Sequence, residues 1–341
     1  MMQTAGKLTG MRRMADARGV FKMVAADQRP PITAPIAKAL NLPQAPWDEV
    51  GRFKRLLAET LQPAASALLL DPHFAIPAAF DILDATKGLV VTLEDSVFQE
   101  TPDGRLSAEI DDWSVGKIRR MGGDAVKLLA WYRPDAGQAV LTAQRDFIKR
   151  VGEQCARYDI PFLLELLLYP LAGDAEQSLE YVEMKSKNSE AVLASVAEFA
   201  KPDYGVDVFK LESPVSAAAA DGSAVVQALF DEMGRLAGRP WVMLSAGADK
   251  AAFRQILCHA FAAGASGFLA GRAIWLDAFN AYPDWPAVIE AMQEDAVAYL
   301  EDISALADAT AQPWHQHDCY GPSGARLATP DASFRHLYED L

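Results

Sequence analysis

The 341 residues are 51% hydrophobic with a mean hydropathy of +0.01, enough apolar mass for one large domain or two ordinary ones and too much for a disordered chain. Lys and Arg number 32 against 46 Asp and Glu, a net charge of −14. No basic run interrupts that acidity, so nucleic acid and anionic membrane are excluded as expected partners. An anionic substrate would have to be held by a few converging cations and backbone N–H groups. Cys155, Cys258 and Cys319 are scattered and lack C-x-x-C spacing, so neither a disulfide framework nor a thiolate zinc site is indicated, as suits a reducing cytoplasm. The opening M-M-Q-T-A-G-K-L-T-G-M-R-R-M has no secretory signal pattern, and no apolar run reaches the ~20 residues of a membrane helix. The expected protein is soluble and cytoplasmic.

Short apolar runs recur at 21–27, 67–71, 88–94, 125–131, 161–167, 206–212, 241–245 and 267–270, which makes eight candidate strands. Segments of helical spacing lie between them: Val50, Phe53, Leu57 and Leu61 after the first run, Val140, Phe147, Val151 and Cys155 after the fourth, Phe253, Ile256, Leu257 and Phe261 after the seventh. Nearly continuous apolar strands alternating with amphipathic helices predict parallel pairing with both faces covered. Eight such units over roughly 250 residues predict a (β/α)8 TIM barrel. An open doubly wound sheet is the competitor, but no G-x-G-x-x-G follows the first strand. The third helix, 112–121, is short, and the fifth crossover, 175–202, is long and carries a charged stretch, 183–190, read as a solvated face. Residues 285–306 form a further helix and 307–341 an irregular tail containing P-W-H-Q-H-D-C-Y. The expected division is a barrel domain over 1–278 and a C-terminal helix and tail over 279–341.

In a parallel barrel the catalytic groups project from the C-terminal ends of the strands. Asp27 and Gln28 end the first run, Asp71 the second and Glu94 the third; Lys127 lies in the fourth, Glu165 in the fifth, Lys210 and Glu212 in the sixth. Period-two alternation groups Ala125, Lys127 and Leu129, then Leu163, Glu165 and Leu167, then Val208, Lys210 and Glu212. If these faces point inward, two lysines and several carboxylates meet on the barrel axis. Charged residues are rarely buried unless paired or functional, and a lysine stripped of water becomes an amine nucleophile more readily. The plain alternative is a set of neutralising salt bridges in a core. The seventh and eighth strands end in S-A-G (245–247) and A-G-R (270–272), where free backbone N–H groups, a helix start and Arg272 would suit a phosphate.

With these residues in place the chain resembles the class I (Schiff-base) aldolases of the tagatose-1,6-bisphosphate aldolase family, which includes the sulfofructose-1-phosphate aldolases. The similarity runs from about Gly19 to Trp275 and rests on A-A-D-Q-R (25–29), G-G-D-A-V-K-L-L (122–129), F-L-L-E (162–165), D-V-F-K-L-E-S-P (207–214), P-W-V-M-L-S-A-G (240–247) and A-G-A-S-G-F-L-A-G-R-A-I-W (263–275). The resemblance implies that Lys210 is the Schiff-base lysine, Lys127 the second lysine, Glu165 the acid/base carboxylate, and Asp27 and Gln28 the holders of substrate hydroxyls. It implies a phosphate grip at Ser245, Gly247, Gly271 and Arg272. Lys210 would attack the ketone of a ketose 1-phosphate, and the iminium would serve as electron sink for cleavage to dihydroxyacetone phosphate and an aldehyde, with no metal or cofactor. Arg29 and Arg133 would serve an anion at the far end of the sugar, phosphate or sulfonate. Three departures stand out: the stiff loop P-P-I-T-A-P-I after Arg29, the arginine of A-W-Y-R-P-D (130–135), and the tail.

Two other readings remain open. A metal-dependent aldolase would use zinc as the electron sink, but it needs clustered histidines, and before the tail there are only His73 and His259. In the tail, His315, His317 and Cys319 are better read as solvated or docked than as ligands. A silent sugar-phosphate-binding regulatory barrel is the other reading, opposed by the intact Lys127, Glu165 and Lys210. The appended helix and tail are plausible surfaces for a homo-oligomer.

Overall fold

Each apolar run expected to be a strand is one. The structure, a computed structural model, describes residues 2–171, 174 and 188–338. The strands are β1 (Phe21–Ala26), β2 (Ala67–Leu70) and β3 (Gly88–Thr92), then an inserted hairpin of β4 (Gln99–Thr101) and β5 (Gly104–Leu106). The remainder are β6 (Ala125–Trp131), β7 (Phe162–Leu167), β8 (Val208–Leu211), β9 (Trp241–Met243) and β10 (Gly267–Ala270). All but the hairpin pair in parallel and close a barrel in chain order, with β10 returning to β1. Its eight strands and alternating helices are those of a TIM barrel.

Alternation along each strand divides the apolar residues between two cores. Phe21, Met23, Leu69, Val90, Ala125, Leu163, Val208, Val242 and Leu269 form one cluster inside the barrel. Val24, Leu70, Val91, Leu128, Leu164, Phe209 and Phe268 belong to the cluster packed under the helices. The helices bury the expected faces: Val50, Phe53, Leu57 and Leu61 of Trp47–Leu61, Val140, Phe147, Val151 and Cys155 of Gln138–Arg157, and Phe253, Ile256, Leu257 and Phe261 of Lys250–Ala262. The third helix is indeed short, Val115–Arg120, capped by the Ser114 side chain accepting from the Lys117 N–H. No helix of the described residues is long and apolar enough to cross a membrane.

Other segments differ from expectation. The stretch P-P-I-T-A-P-I is a helix, Pro30–Ala39, rather than a stiff loop. Proline in the first turn has its torsion already set and lacks only an N–H that the helix leaves without an internal partner anyway, so Pro30 and Pro31 start the helix instead of preventing it. The helix over 285–306 is Trp285–Ala291, a π-turn at Met292–Ala296 and Val297–Thr310. Of the charged stretch 183–190, residues 183–187 lie outside the described residues, and Glu190 sits in the first turn of the helix Ser189–Phe199.

The tail returns to the N-terminal ends of the strands. The Trp314 N–H donates to the Gly19 carbonyl and the Gln312 N–H to that of Ala265, just before β1 and β10. Trp314 and Tyr320 are buried there with Leu8, Met11 and Met14 of the helix Ala5–Met14, covering the lowest layer of the barrel interior. That end is therefore sealed by apolar side chains, which leaves the opposite mouth for chemistry. Trp314→Ala should lower the unfolding free energy by about 3–5 kcal/mol, the usual cost of deleting a large buried aromatic, read from urea unfolding followed by circular dichroism.

Candidate active site

The polar layer of the barrel interior lies directly above that apolar floor. On β6 the inward series Ala125, Lys127, Leu129 places the Lys127 ammonium on the axis, 2% exposed. Its Nζ lies 2.9 Å from Asp27 Oδ2, 2.5 Å from Glu94 Oε1 and 2.8 Å from Glu165 Oε2. Glu165 and Lys210 are register partners on the neighbouring strands β7 and β8. The Lys210 ammonium donates to the same Glu165 Oε2 at 2.9 Å, so one carboxylate oxygen joins both lysines. Asp27 is the first residue after β1, where the chain leaves the sheet and a side chain can turn to the mouth.

Glu94 is fixed at both ends. Its Oε2 accepts the Leu129 N–H at 3.0 Å, and its carbonyl accepts the Arg29 guanidinium at 3.1 and 3.2 Å. Glu212, just past β8, accepts the Leu168 N–H at 2.7 Å. Burial alone would raise the Asp27 carboxyl, but the charges of Lys127 and Lys210 and the Lys127 hydrogen bond hold it far below the ordinary carboxylate value. Burial alone would likewise lower Lys127, and Asp27, Glu165 and Glu94 overturn that and raise it well above an ordinary lysine. The cluster is thus charged throughout the physiological range at these two groups.

At the rim, the Ala248 N–H closes a turn onto the Ser245 carbonyl at 2.8 Å. Ala246 and Gly247 between them both take positive φ, 47° and 87°. Such a turn suits glycine, and a non-glycine residue there carries about 1–2 kcal/mol of strain. The Arg272 guanidinium lies against Gly247, with its Cζ 3.5 Å from where a β-carbon would stand. A β-carbon on Gly271 would stand 2.7 Å from both the Ala25 carbonyl oxygen and Gln28 Nε2, so only glycine lets the chain pass there. Gln28 Oε1 is buried and accepts no hydrogen bond from the described residues. These groups surround a cavity of about 720 Å³ including its open mouth.

Lys210, Glu165, Lys127, Asp27, Gln28, Arg29, Ser245, Gly271 and Arg272 all line that cavity, and Gly247 sits beside Arg272. Glu94 and Glu212, the carboxylates expected at the ends of the third and sixth strands, line it as well. Asp71 is elsewhere: it pairs with Lys54 and accepts the N–H groups of His73 and Phe74. Arg133 is also outside, tied to Asp135 and Asp174, so the expectation that it faces a substrate anion is corrected. Those two neutralising carboxylates explain its placement. His259 is a packing residue whose ring nitrogens lie 2.8 Å from Gln227 Oε1 and 2.6 Å from the Asp221 carbonyl. Among the described residues no three His, Cys, Asp or Glu side chains are grouped to hold a metal ion, and His317 Nδ1 in the tail instead accepts the Cys319 N–H.

The family described as DeoC/LacD family aldolase matches residues 21–277, three quarters of the chain and the whole of the barrel. The chain belongs to that family. This aldolase, a carbon–carbon lyase, is 33% identical over 326 residues to tagatose 1,6-diphosphate aldolase 2 of Enterococcus faecalis, covering 92% of this chain and 96% of that one. It is 34% identical over 324 residues to tagatose 1,6-diphosphate aldolase of Listeria monocytogenes, covering 91% and 94%. Among solved structures, the fold is similar to that of fructose-bisphosphate aldolase from Plasmodium falciparum, with TM-score 0.64, 13% identity, and 92% of this chain and 98% of that one covered. It is also similar to an archaeal fructose-1,6-bisphosphate aldolase with its catalytic lysine bound to the carbinolamine intermediate, with TM-score 0.58, 14% identity, and 87% and 98% covered.

Two stability measurements follow from the charge cluster of this aldolase. Lys127→Met strands three buried carboxylates and should cost about 3–5 kcal/mol, whereas Lys210→Met leaves Glu165 bonded to Lys127 and should cost clearly less; chemical denaturation of the two variants compares them. Asp27 has its folded value below the ordinary 3.8, so its stabilisation is complete above about pH 4 and is lost as pH falls further. Lys127 has its folded value above the ordinary 10.5, so its contribution is complete below that pH and is lost as pH rises through the folded value. In thermal melts across pH, Asp27→Asn should flatten the decline below pH 4 and, because Asp27 is the first of the charges that raise Lys127, should shrink the alkaline decline as well.

Proposed function

We propose that this aldolase is of class I and cleaves a ketose 1-phosphate of the tagatose 1,6-bisphosphate kind through a Schiff base on Lys210. The observation that carries the reading is the Lys210–Glu165–Lys127 chain, joined through one carboxylate oxygen at 2.9 and 2.8 Å and buried at the catalytic mouth of the barrel. The relatives' names, tagatose 1,6-diphosphate aldolase, support the substrate class.

The Lys210 amine attacks the C2 ketone, and a proton passes to the carbonyl oxygen to give a carbinolamine. Glu165, the carboxyl within reach of Lys210, protonates the departing hydroxyl, and water leaves an iminium. A base then takes the C4 hydroxyl proton. The C3–C4 electrons flow into the iminium nitrogen, leaving an enamine on Lys210 and releasing the aldehyde. Protonation at C3 and hydrolysis of the resulting iminium return dihydroxyacetone phosphate and free Lys210. Asp27 and Gln28 Oε1, which accepts no hydrogen bond among the described residues, take substrate hydroxyls, while the turn at Ser245–Gly247, the chain at Gly271 and the Arg272 guanidinium take the 1-phosphate. Arg29, 7% exposed and bonded only to a carbonyl among the described residues, offers a cation toward the opposite end of the sugar.

Incubation with dihydroxyacetone phosphate followed by borohydride should leave a reduced adduct on Lys210, located by peptide mass spectrometry and formed equally well in the presence of a chelator. Folded protein that gives no adduct, or an adduct on another lysine only, would sink the reading.

A further inference from the structure

Among the described residues the most fully buried ion pair, Lys54 with Asp71, lies outside the cavity, one layer behind it. Lys54 projects from the core face of the helix Trp47–Leu61, alongside Val50, Phe53 and Leu57, and both it and Asp71 are fully buried, at 0% exposure. Its Nζ makes two contacts: an ion pair with Asp71 and a hydrogen bond of 2.7 Å to the carbonyl of Ala26. Ala26 is the last residue of β1, and the next residue is Asp27. Asp71 in turn accepts the N–H groups of His73, Phe74 and Ala75 in the loop after β2. One ammonium therefore pins the exit of β1 to the exit of β2.

A core helix gains nothing obvious from such a pair. Taking two charges out of water costs several kcal/mol each, and apolar residues of similar volume often serve stability as well or better. The position of the contact is what distinguishes it. The peptide that Lys54 holds is the one that aims the Asp27 carboxylate at Lys127, 2.9 Å away.

We propose that Lys54 is a positioning residue for the aldol cleavage, acting through the Ala26 carbonyl to hold Asp27 in the polar layer, with Asp71 as its counter-ion. This rests on the reading of Asp27 and Lys210 given above. Displacing a catalytic constellation by about 1 Å can cost on the order of a hundredfold in rate, whereas the phosphate grip is carried by the loops after β9 and β10, to which the Lys54 ammonium makes no hydrogen bond or ion pair among the described residues. The signature is a loss in kcat with KM nearly unchanged.

Lys54→Met alone strands the Asp71 carboxylate and should lower Tm by roughly 5–10 °C. Lys54→Met combined with Asp71→Asn removes both charges and keeps an acceptor for the His73 and Phe74 N–H groups, so most of that loss should be recovered. Both proteins are assayed well below their Tm, beside the wild type, for cleavage of tagatose 1,6-bisphosphate and for borohydride trapping with dihydroxyacetone phosphate. In the double variant kcat should stay at least about tenfold down with KM within about twofold, because the contact with the Ala26 carbonyl is still missing. Recovery of kcat together with Tm would overturn the proposal and leave the pair a packing feature. If neither variant folds, Lys54→Gln, which keeps an N–H donor without the charge, replaces them. It should retain more kcat than Lys54→Ala, and equal losses would overturn the proposal. A wild type that neither cleaves nor traps condemns the underlying reading, whereas an active wild type with an unaffected double variant condemns this inference alone.

Discussion

The ammonium of Lys127 is the constraint on which the upper half of the barrel depends. A lone cation cannot be buried at 2% exposure without losing its proton or finding partners. Here it finds three carboxylates, carried by segments that follow or belong to β1, β3 and β7. The three would repel one another without the cation, and the cation would not stay charged without them. Four segments of chain thus have their relative positions fixed by one charge. Glu165 extends the arrangement to Lys210 through the same oxygen that meets Lys127, so the proposed nucleophile is placed by a network whose centre is another residue.

The two ends of the barrel divide the work because their side chains differ. At the floor, Leu8, Met11, Met14, Trp314 and Tyr320 seal the strand starts with apolar surface, a contribution to stability that asks for no special geometry. One layer up, the same inward-facing positions carry Lys127, Glu165 and Lys210, whose alignment follows from strand register, and Glu165 opposite Lys210 is fixed by the β7–β8 ladder. A register shift of one residue would turn these side chains to the helix side. The apolar alternation below therefore does more than stabilise: it selects the only register in which the charges meet.

The strands and the three charged residues inside them were legible because period two needs nothing beyond the local sequence. Lys127, Glu165 and Lys210 each interrupt an apolar inward series, and that interruption is the signal. Glu94 gave a weaker one: it stands two residues past the end of β3, on the parity of the inward Val90, and its place at the site is fixed by the Leu129 N–H and by Arg29. Arg133 was misleading for the converse reason, since a cation near a strand end looks available until its partners Asp135 and Asp174 are seen. The prolines after Arg29 read as a rigid loop because proline ends helices more often than it is noticed beginning them. The tail has no period at all. Its docking depends on hydrogen bonds to Gly19 and Ala265, on a parallel bridge between Gln3 and Leu327 and on two buried rings, features that appear only when the barrel exists to receive them.

The net charge of −14 gives the cavity its final property. The sugar phosphate proposed above would gain little from the surface field, so its binding would have to come from groups inside the mouth, where low dielectric strengthens each contact. Arg272, beside Gly247, follows β10, and Arg29, bonded to the Glu94 carbonyl, follows β1. Asp27, Glu165 and the two lysines line the same cavity. In the proposed bisphosphate complex an anion at each end meets one of these arginines and the central carbons come over the lysines, which would turn electrostatic binding into alignment of the bond to be broken.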